Sequence, residues 1–79
     1  MDKYKKFLAT LDRKTRKRVE DVLLAIGKNR LEGLDIRPLK GYKNCYRCRT
    51  GAIRILFMRS GNETIIIDIG FRAGIYKSL

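Results

Sequence analysis

Residues 39–57, LKGYKNCYRCRTGAIRILF, decide the fold and predict two short strands joined by a turn at Thr50-Gly51-Ala52. Arg47 and Arg49 stand two apart on the first strand, so their side chains leave the same face. Arg54 stands between two isoleucines of the second strand, where a sheet built for stability alone seldom carries an arginine. Three guanidinium groups on adjacent strands repel one another unless a polyanion lies between them. The hairpin therefore predicts a phosphate-binding surface.

The composition also points to an anionic partner. The 79 residues include 19 Lys and Arg against 8 Asp and Glu, which gives a net charge of +11 and a pI of about 10.2. So basic a chain is typical of proteins that bind nucleic acid, the ribosome, acidic lipid or an acidic protein. The length predicts one small domain spanning residues 1–79.

Several classes of protein are excluded by what the sequence lacks. The basic start is not followed by the apolar run of a signal peptide, and no segment approaches the roughly 20 apolar residues of a membrane span. We therefore expect a cytoplasmic protein without a membrane partner. The sequence contains no histidine, which excludes His-based acid–base chemistry, His-ligated metals and Ser-His or Cys-His nucleophiles.

The first third of the chain predicts a helical hairpin. Apolar residues recur at the spacing of one helical face in two successive stretches, which are Tyr4, Phe7, Leu8 and Leu11, then Val19, Val22, Leu23 and Ile26. Asp12 is a suitable N-cap for the second helix, and Gly27 is a plausible end. The two apolar faces are expected to pack against each other.

The rest of the chain predicts a sheet. Residues 29–40 are interpreted as a connector broken by Gly33 and Pro38. After the hairpin, a second turn at Ser60-Gly61-Asn62 leads to a third strand over residues 64–69. Tight turns join antiparallel strands. We therefore predict an α+β fold in which the N-terminal helical hairpin covers one face of a small antiparallel sheet.

A run of five cations opens the second helix. Such a run is either a solvated face or a surface that binds the backbone of a nucleic acid. On the second interpretation, two lysines of the connecting segment join it in binding RNA or the ribosome. The predicted set is Arg13, Lys14, Arg16, Lys17, Arg18, Lys40 and Lys43.

Cys45 and Cys48 form a single C-x-x-C sequence. A structural zinc site needs about four ligands, and no histidine or further cysteine completes one. Residues three apart on a strand also point to opposite faces, so the two sulfur atoms should diverge. We expect buried or half-buried thiols, and no metal, cofactor or small-molecule ligand.

The candidate catalytic set consists of four arginines and one tyrosine, namely Arg47, Arg49, Arg54, Arg72 and Tyr76. Cleaving RNA without a metal requires that the 2′-hydroxyl lose a proton, that the pentavalent phosphate be stabilised, and that the 5′-oxygen gain a proton. Clustered arginines supply the second requirement, and a tyrosine whose pKa is lowered by cations could transfer a proton. The residues alone leave open a surface that only binds phosphate.

Over residues 3–79 the sequence resembles the RelE/ParE superfamily of type II toxin–antitoxin toxins. The stretches that carry the resemblance are KFLATLDRKTRKRVEDVLLAI, LDIRPLKG, YRCRTGAIRILF and IIIDIGFRAGIYKSL. The match to the RelE branch implies a ribosome-dependent endoribonuclease that cuts mRNA in the A site. It implies in-line attack by the 2′-hydroxyl, a 2′,3′-cyclic phosphate product, and inhibition by a cognate antitoxin encoded beside it.

The resemblance also implies roles for individual residues. Arg47 and Arg49 match two basic positions that contact RNA and assist proton transfer; these are often lysine, and arginine is a poorer base. Arg54 matches the residue that stabilises the scissile phosphate. Arg72 matches an arginine that stabilises the phosphate or the leaving group. Tyr76 matches a tyrosine that stacks on the base or helps to activate the 2′-hydroxyl.

Two departures and two alternatives accompany this resemblance. Superfamily members usually open with a strand before the first helix, whereas this chain has only residues 1–3 there, so the sheet is expected to lack that strand or to borrow one from a partner. Only three residues separate Arg72 from Tyr76, so the tail geometry could differ. The alternatives are a ParE-like inhibitor of DNA gyrase and a non-catalytic remnant that binds RNA or the ribosome.

Overall fold

In a computed structural model, residues 2–71 form two helices followed by a four-stranded sheet. The elements in chain order are α1 (Asp2–Ala9), α2 (Arg13–Gly27), β1 (Asp35–Pro38), β2 (Cys45–Thr50), β3 (Ile53–Ser60) and β4 (Glu63–Phe71). The strands follow one another across the sheet in the order β1-β2-β3-β4, and all neighbours are antiparallel. The structure therefore confirms the predicted α+β class, with a helical hairpin beside an antiparallel sheet.

The prediction of three strands was wrong by one. The segment interpreted as a connector, residues 29–40, contains β1, which pairs with β2 through Ile36 and Cys48. β1 is four residues long and ends at Pro38, so its own sequence shows too little alternation to predict a strand. Its pairing with β2 is what makes it one. Among the described residues, no strand precedes α1.

α2 begins and ends where its sequence predicts. The backbone N–H of Thr15 donates to Oδ2 of the N-cap Asp12 at 3.4 Å. Hydrogen bonding from the Thr15 side chain, followed by that from its backbone N–H, lowers the pKa of the Asp12 carboxyl. At the other end, Gly27 is the last helical residue, and Asn29 adopts the left-handed conformation with φ of 57°. Its backbone N–H donates to the carbonyl of Ile26 at 3.0 Å, which satisfies one of the free carbonyls of the last turn.

The core lies between α2 and one face of the sheet. Val19, Val22 and Ile26 of α2 are buried at the helical spacing read from the sequence. The sheet contributes alternate residues of β2, β3 and β4 to the same cluster, which includes Cys48, Ile53, Ile55, Phe57 and Ile69. Burial of this apolar surface stabilises the packing of α2 on the sheet.

The last strand is irregular near its middle. The register of β4 against β3 shifts at Phe57, so Ile67 is an extra residue in a β-bulge. The Tyr4 hydroxyl of α1 donates to the carbonyl of Ile66 at 2.6 Å and lies 3.0 Å from that of Ile67. Burial, followed by the negative charge of Asp68, raises the pKa of the Tyr4 hydroxyl above its usual value.

No helix within residues 2–71 is long and apolar enough to cross a membrane.

Candidate nucleic-acid interface

Arginines of β2 and β3 lie together on the sheet face that points away from the helices. Arg49 is directly opposite Arg54 in the register, and Arg47 is two residues before Arg49 on the same face. Their neighbours Cys48 and Ile55 are buried on the helix-facing side. The hairpin thus brings together the three guanidinium groups for which the residue spacing predicted a shared face.

β1 adds two charged residues to this face. Arg37 is opposite Arg47, and Asp35 is opposite Arg49. We name the set Arg37, Arg47, Arg49 and Arg54 the arginine face. Arg37 was not identified from the sequence because β1 was not predicted. Asp35 and Arg37 flank the apolar Ile36, which is the only sign of a strand in this segment.

Arg47 is a largely buried member of the arginine face. Its side chain is only 14% exposed, and its Nη1 lies 3.7 Å from Oδ1 of Asp35, which is beyond hydrogen-bonding range. Nη1 is buried and has no hydrogen-bond acceptor among residues 2–71. A buried donor without an acceptor costs free energy, and a phosphate oxygen is the acceptor that a guanidinium group binds best.

The centre of the same face is closed by an apolar residue and a carboxylate. Leu56 is opposite both Arg47 and Asp68 in the register, and it is fully buried. The buried Asp68 carboxylate accepts a hydrogen bond from the backbone N–H of Ile69 at 2.8 Å. Arg47 and Arg54 are therefore half-buried beside a packed surface, whereas Arg37 and Arg49 are exposed.

The basic run of α2 occupies its first two turns, and its members differ in exposure and in pairing. Arg13, Lys14, Lys17 and Arg18 are exposed, and Arg16 is half-buried. Lys17 forms an ion pair with Asp21 at 2.8 Å, and this hydrogen bond raises the pKa of the lysine. No carboxylate of the described residues forms an ion pair with Arg18.

Arg18 reaches from α2 to the turn between β2 and β3. A Cβ atom added at Gly51 would lie only 2.6 Å from Nη2 of Arg18. Gly51 has φ of +61°, which also favours glycine at the first position of this two-residue turn. The guanidinium group of Arg18 thus lies over the turn that separates Arg49 from Arg54.

Some predicted residues lie elsewhere. Lys40 and Lys43 are exposed in the connection between β1 and β2, beyond Cys45 at the start of β2, which is about 13 Å from Arg49 along the strand. They lie at the other end of β2 from Arg49 and the β2–β3 turn. Arg72 and Tyr76 fall outside the described residues.

The two cysteines are free and buried. Cys48 faces α2 within the core, whereas Cys45 is opposite Met58 on the other face of the sheet. Burial, followed by the charge of Asp35, raises the pKa of the Cys48 thiol from 9.0 to about 11. Such a thiol is a weak nucleophile at neutral pH. The described residues contain no group of three His, Cys, Asp or Glu that could hold a metal ion.

A second surface feature lies between the helical hairpin and β4. An apolar groove of about 560 Å³ is lined by Tyr4, Leu8, Leu23, Leu24 and Ile66, with Lys17 and Glu20 among its polar neighbours. Leu24 is 61% exposed there. Together with the apolar residues that line the groove, Leu24 forms a contiguous exposed apolar patch.

The fold is similar to that of a solved structure. The chain is similar, with a TM-score of 0.72 and 30% sequence identity, to a chain in the crystal structure of a RelB–RelE antitoxin–toxin complex from Methanococcus jannaschii. The alignment covers 89% of this chain and 85% of that one. No protein-family model and no curated protein matches the chain.

The fold and the cationic sheet face define a small basic α+β protein with a RelE-like fold. At this identity and coverage, the chain belongs to the family of toxin–antitoxin proteins that the RelB–RelE complex represents.

Proposed function

We propose that the chain is the toxin of a type II toxin–antitoxin system and acts as a ribosome-dependent mRNA endoribonuclease in the cytoplasm. The observation that carries the proposal is the direct cross-strand pairing of Arg49 with Arg54 beside Arg47. Arg47 beside this pair has a buried donor, Nη1, with no acceptor among residues 2–71. A phosphate oxygen over this part of the sheet would supply that acceptor.

The chemistry needs a fixed cluster of positive charge. The 2′-oxygen of the substrate attacks the adjacent phosphorus and loses its proton, the bond from phosphorus to the 5′-oxygen breaks, and that oxygen gains a proton. The products are a 2′,3′-cyclic phosphate and a 5′-hydroxyl. Negative charge grows on the non-bridging oxygens in the transition state, and donors that are already in place stabilise it without reorganisation.

Each arginine has a distinct part in this proposal. Arg54 stabilises the scissile phosphate, while Arg47 and Arg49 hold the strand through its neighbouring phosphates. Arg72 stabilises the phosphate or the leaving oxygen, and Tyr76 stacks on the base or helps to activate the 2′-hydroxyl. Since the sequence contains no histidine, proton transfer must use other groups, such as this tyrosine.

We also propose that a cognate antitoxin neutralises the chain. The similar solved structure is a complex of an antitoxin with a toxin. The net charge of +11 favours an acidic partner, and the apolar groove beside Leu24 offers apolar contacts to the same segment. Such a partner would associate rapidly at low ionic strength.

A toeprint assay on translating ribosomes tests the enzymatic proposal. The wild-type chain should cut mRNA in the A-site codon, and the Arg54→Ala, Arg72→Ala double variant should not. The matched control is Arg59→Ala, which removes an arginine from the same strand on the helix-facing side, where it donates to Thr64. This control should still cut.

Each outcome of the assay bears on the proposal. Intact mRNA with the folded wild-type chain would overturn it, and inhibition of DNA supercoiling in a parallel gyrase assay would then support the ParE-like alternative. Cleavage that persists in the double variant would overturn the role of the arginine face. Cleavage lost equally in the control would have the same consequence, because any loss of arginine would then suffice.

A further inference from the structure

We propose that the arginine face and the basic side of α2 form one continuous track for single-stranded RNA, joined across the β2–β3 turn by Arg18. This inference rests on the proposed function, because it extends the phosphate-binding surface beyond the sheet. It assigns Arg18 to binding RNA outside the scissile position.

The two surfaces are connected where Arg18 contacts the β2–β3 turn at Gly51. Arg18 belongs to the helical layer, yet a Cβ on Gly51 would lie 2.6 Å from its Nη2 and 3.4 Å from its Cζ. Gly51 follows Arg49 by two residues, which is about 7 Å along an extended strand. The guanidinium group from the helix and those of Arg49 and Arg54 therefore lie at the same end of the sheet, next to the β2–β3 turn.

The track continues along α2 through Lys14. Lys14 precedes Arg18 by one helical turn, and the two line the same shallow depression of about 380 Å³ together with Leu34. Lys17 also borders it, but its ammonium group is paired with Asp21 at 2.8 Å. Lys14 and Arg18 are thus the cations of α2 that remain open to phosphate on this side.

The shape of the track favours a single strand over a duplex. A chain that binds both surfaces must bend around the end of the sheet at the β2–β3 turn. A single strand can follow such a bend, whereas a duplex resists bending over many base pairs. Because Gly51 has no side chain, the Arg18 guanidinium group can occupy that space and place its charge at the bend.

Two lengths of RNA test this connection. We would measure the binding of fluorescein-labelled oligouridylates of about 4 and about 12 nucleotides, by fluorescence polarisation over a range of salt concentrations. In Arg18→Gln, the salt slope for the longer RNA should fall by about 0.7, the value for one phosphate contact to a single strand. The slope for the shorter RNA should not change. Arg49→Gln should lower both slopes.

The two hairpin glycines supply a matched control. Gly51→Ala displaces the Arg18 guanidinium group and should reproduce Arg18→Gln with the longer RNA. Gly61→Ala imposes the same backbone strain, since φ is +62° there, but a Cβ at that position has nothing within 4 Å. Its binding to both RNAs should match the wild type. Circular dichroism would confirm that all variants are folded.

The possible results separate the inference from the function on which it rests. The inference of a continuous track is overturned if Arg18→Gln binds the longer RNA with the wild-type salt slope. It is also overturned if the salt slope falls equally for both RNA lengths. If Gly61→Ala weakens binding as much as Gly51→Ala, the Arg18 contact is not the cause and the inference fails. mRNA cleavage on ribosomes alongside any of these results leaves the proposed function standing. A folded wild-type chain that binds neither RNA and cuts no mRNA overturns both.

Discussion

The two hairpin turns of the sheet share the same backbone chemistry but differ in their neighbours. The β2–β3 turn begins with Gly51 at φ of +61°, and the β3–β4 turn begins with Gly61 at φ of +62°. Both turns contain two residues, and positive φ at the first of them is typical of a type II′ turn. Arg18 lies over the first turn, whereas a Cβ at the second would meet open space.

The arginine nearest the second turn is used differently from those near the first. Arg59 donates to the hydroxyl of Thr64, which in turn lies 3.4 Å from the carbonyl of Ile26 at the end of α2. Its charge is thereby held by neutral groups inside the fold. Arg49 and Arg54 instead face each other across the strands at the first turn. On the proposed function, the arginine at one end of the sheet stabilises the fold, whereas those at the other end bind RNA.

The largest expected effect distinguishes the two arginines of β3. Arg54→Gln should reduce cleavage by about 10²–10³-fold, because it removes a positioned charge from the phosphate. Arg59→Gln should leave cleavage within a few-fold and lower the free energy of unfolding by about 1 kcal/mol, through loss of its hydrogen bond to Thr64. Toeprinting and urea denaturation measure the two effects. Equal loss of cleavage would erase the functional difference between the two ends of the sheet.

Substitution of either turn glycine by alanine should reduce the stability of the fold by nearly the same amount. Gly51→Ala and Gly61→Ala should each lower the free energy of unfolding by about 1–2 kcal/mol, because alanine is strained at positive φ. The atom that Cβ meets at Gly51 is the end of a flexible side chain, so Arg18 can swing aside at little cost. Urea denaturation of both variants checks this. A much larger loss for Gly51→Ala, relieved by Arg18→Ala, would mean that the contact also holds the fold together.

Alkaline pH should destabilise the first hairpin through Cys48. Because the folded pKa of this thiol is raised from 9.0 to about 11, its contribution to stability is complete below pH 9 and is lost as the pH rises towards 11. Cys48→Ala should flatten this part of the stability profile, although it also leaves a small cavity. Urea midpoints measured between pH 7 and 11 test the prediction, and an unchanged slope would contradict it.

Tyr4 supplies the corresponding test for the second hairpin, because its hydroxyl bonds the backbone of β4. Its pKa is raised from 10.0, so its contribution is complete below pH 10 and falls above it. Tyr4→Phe should remove the loss of stability that begins near pH 10 and keep the loss due to Cys48, which begins near pH 9. A variant that removed both would show that the two groups do not titrate independently.

The smallest effect concerns the carboxylate on the arginine face. Asp35→Asn removes the negative charge 3.7 Å from Arg47, and it should strengthen RNA binding by about 2–5-fold at low salt. Asp21→Asn, which releases Lys17 on α2, is the companion variant. Fluorescence polarisation with a short oligouridylate should respond to Asp35→Asn more than to Asp21→Asn. The opposite order would place the short RNA on the helix.

Much of the fold follows from local sequence signals. Asp12 predicts the start of α2, and the glycines of both turns predict the hairpins, because each signal acts within a few residues. β1 does not follow from the sequence, since four residues ending in Pro38 become a strand only by pairing with β2. Its absence from the prediction also concealed Arg37.

The part of the site on the β2–β3 hairpin could be predicted from the sequence, but the contact between α2 and the sheet could not. Alternation on β2 and β3 correctly placed Arg47, Arg49 and Arg54 on one face. The basic run of α2 gave no sign that Arg18 reaches the β2–β3 turn, because that contact depends on how the helix packs on the sheet. Charge likewise predicted Lys40 and Lys43 as RNA-binding residues but gave no indication that they lie at the other end of β2 from Arg49.

The hydroxyl of Tyr4 has a consequence for how this chain meets its own copies. β4 is the last strand of the described sheet, and an outer strand with free backbone groups is a template for edge-to-edge aggregation. Here the carbonyls of Ile66 and Ile67 are occupied by Tyr4, and the N–H of Ile69 is occupied by the Asp68 carboxylate. A neighbouring molecule would have to displace the Tyr4 hydroxyl before it could pair with these carbonyls. Tyr4 therefore protects the middle of β4 against edge-to-edge pairing.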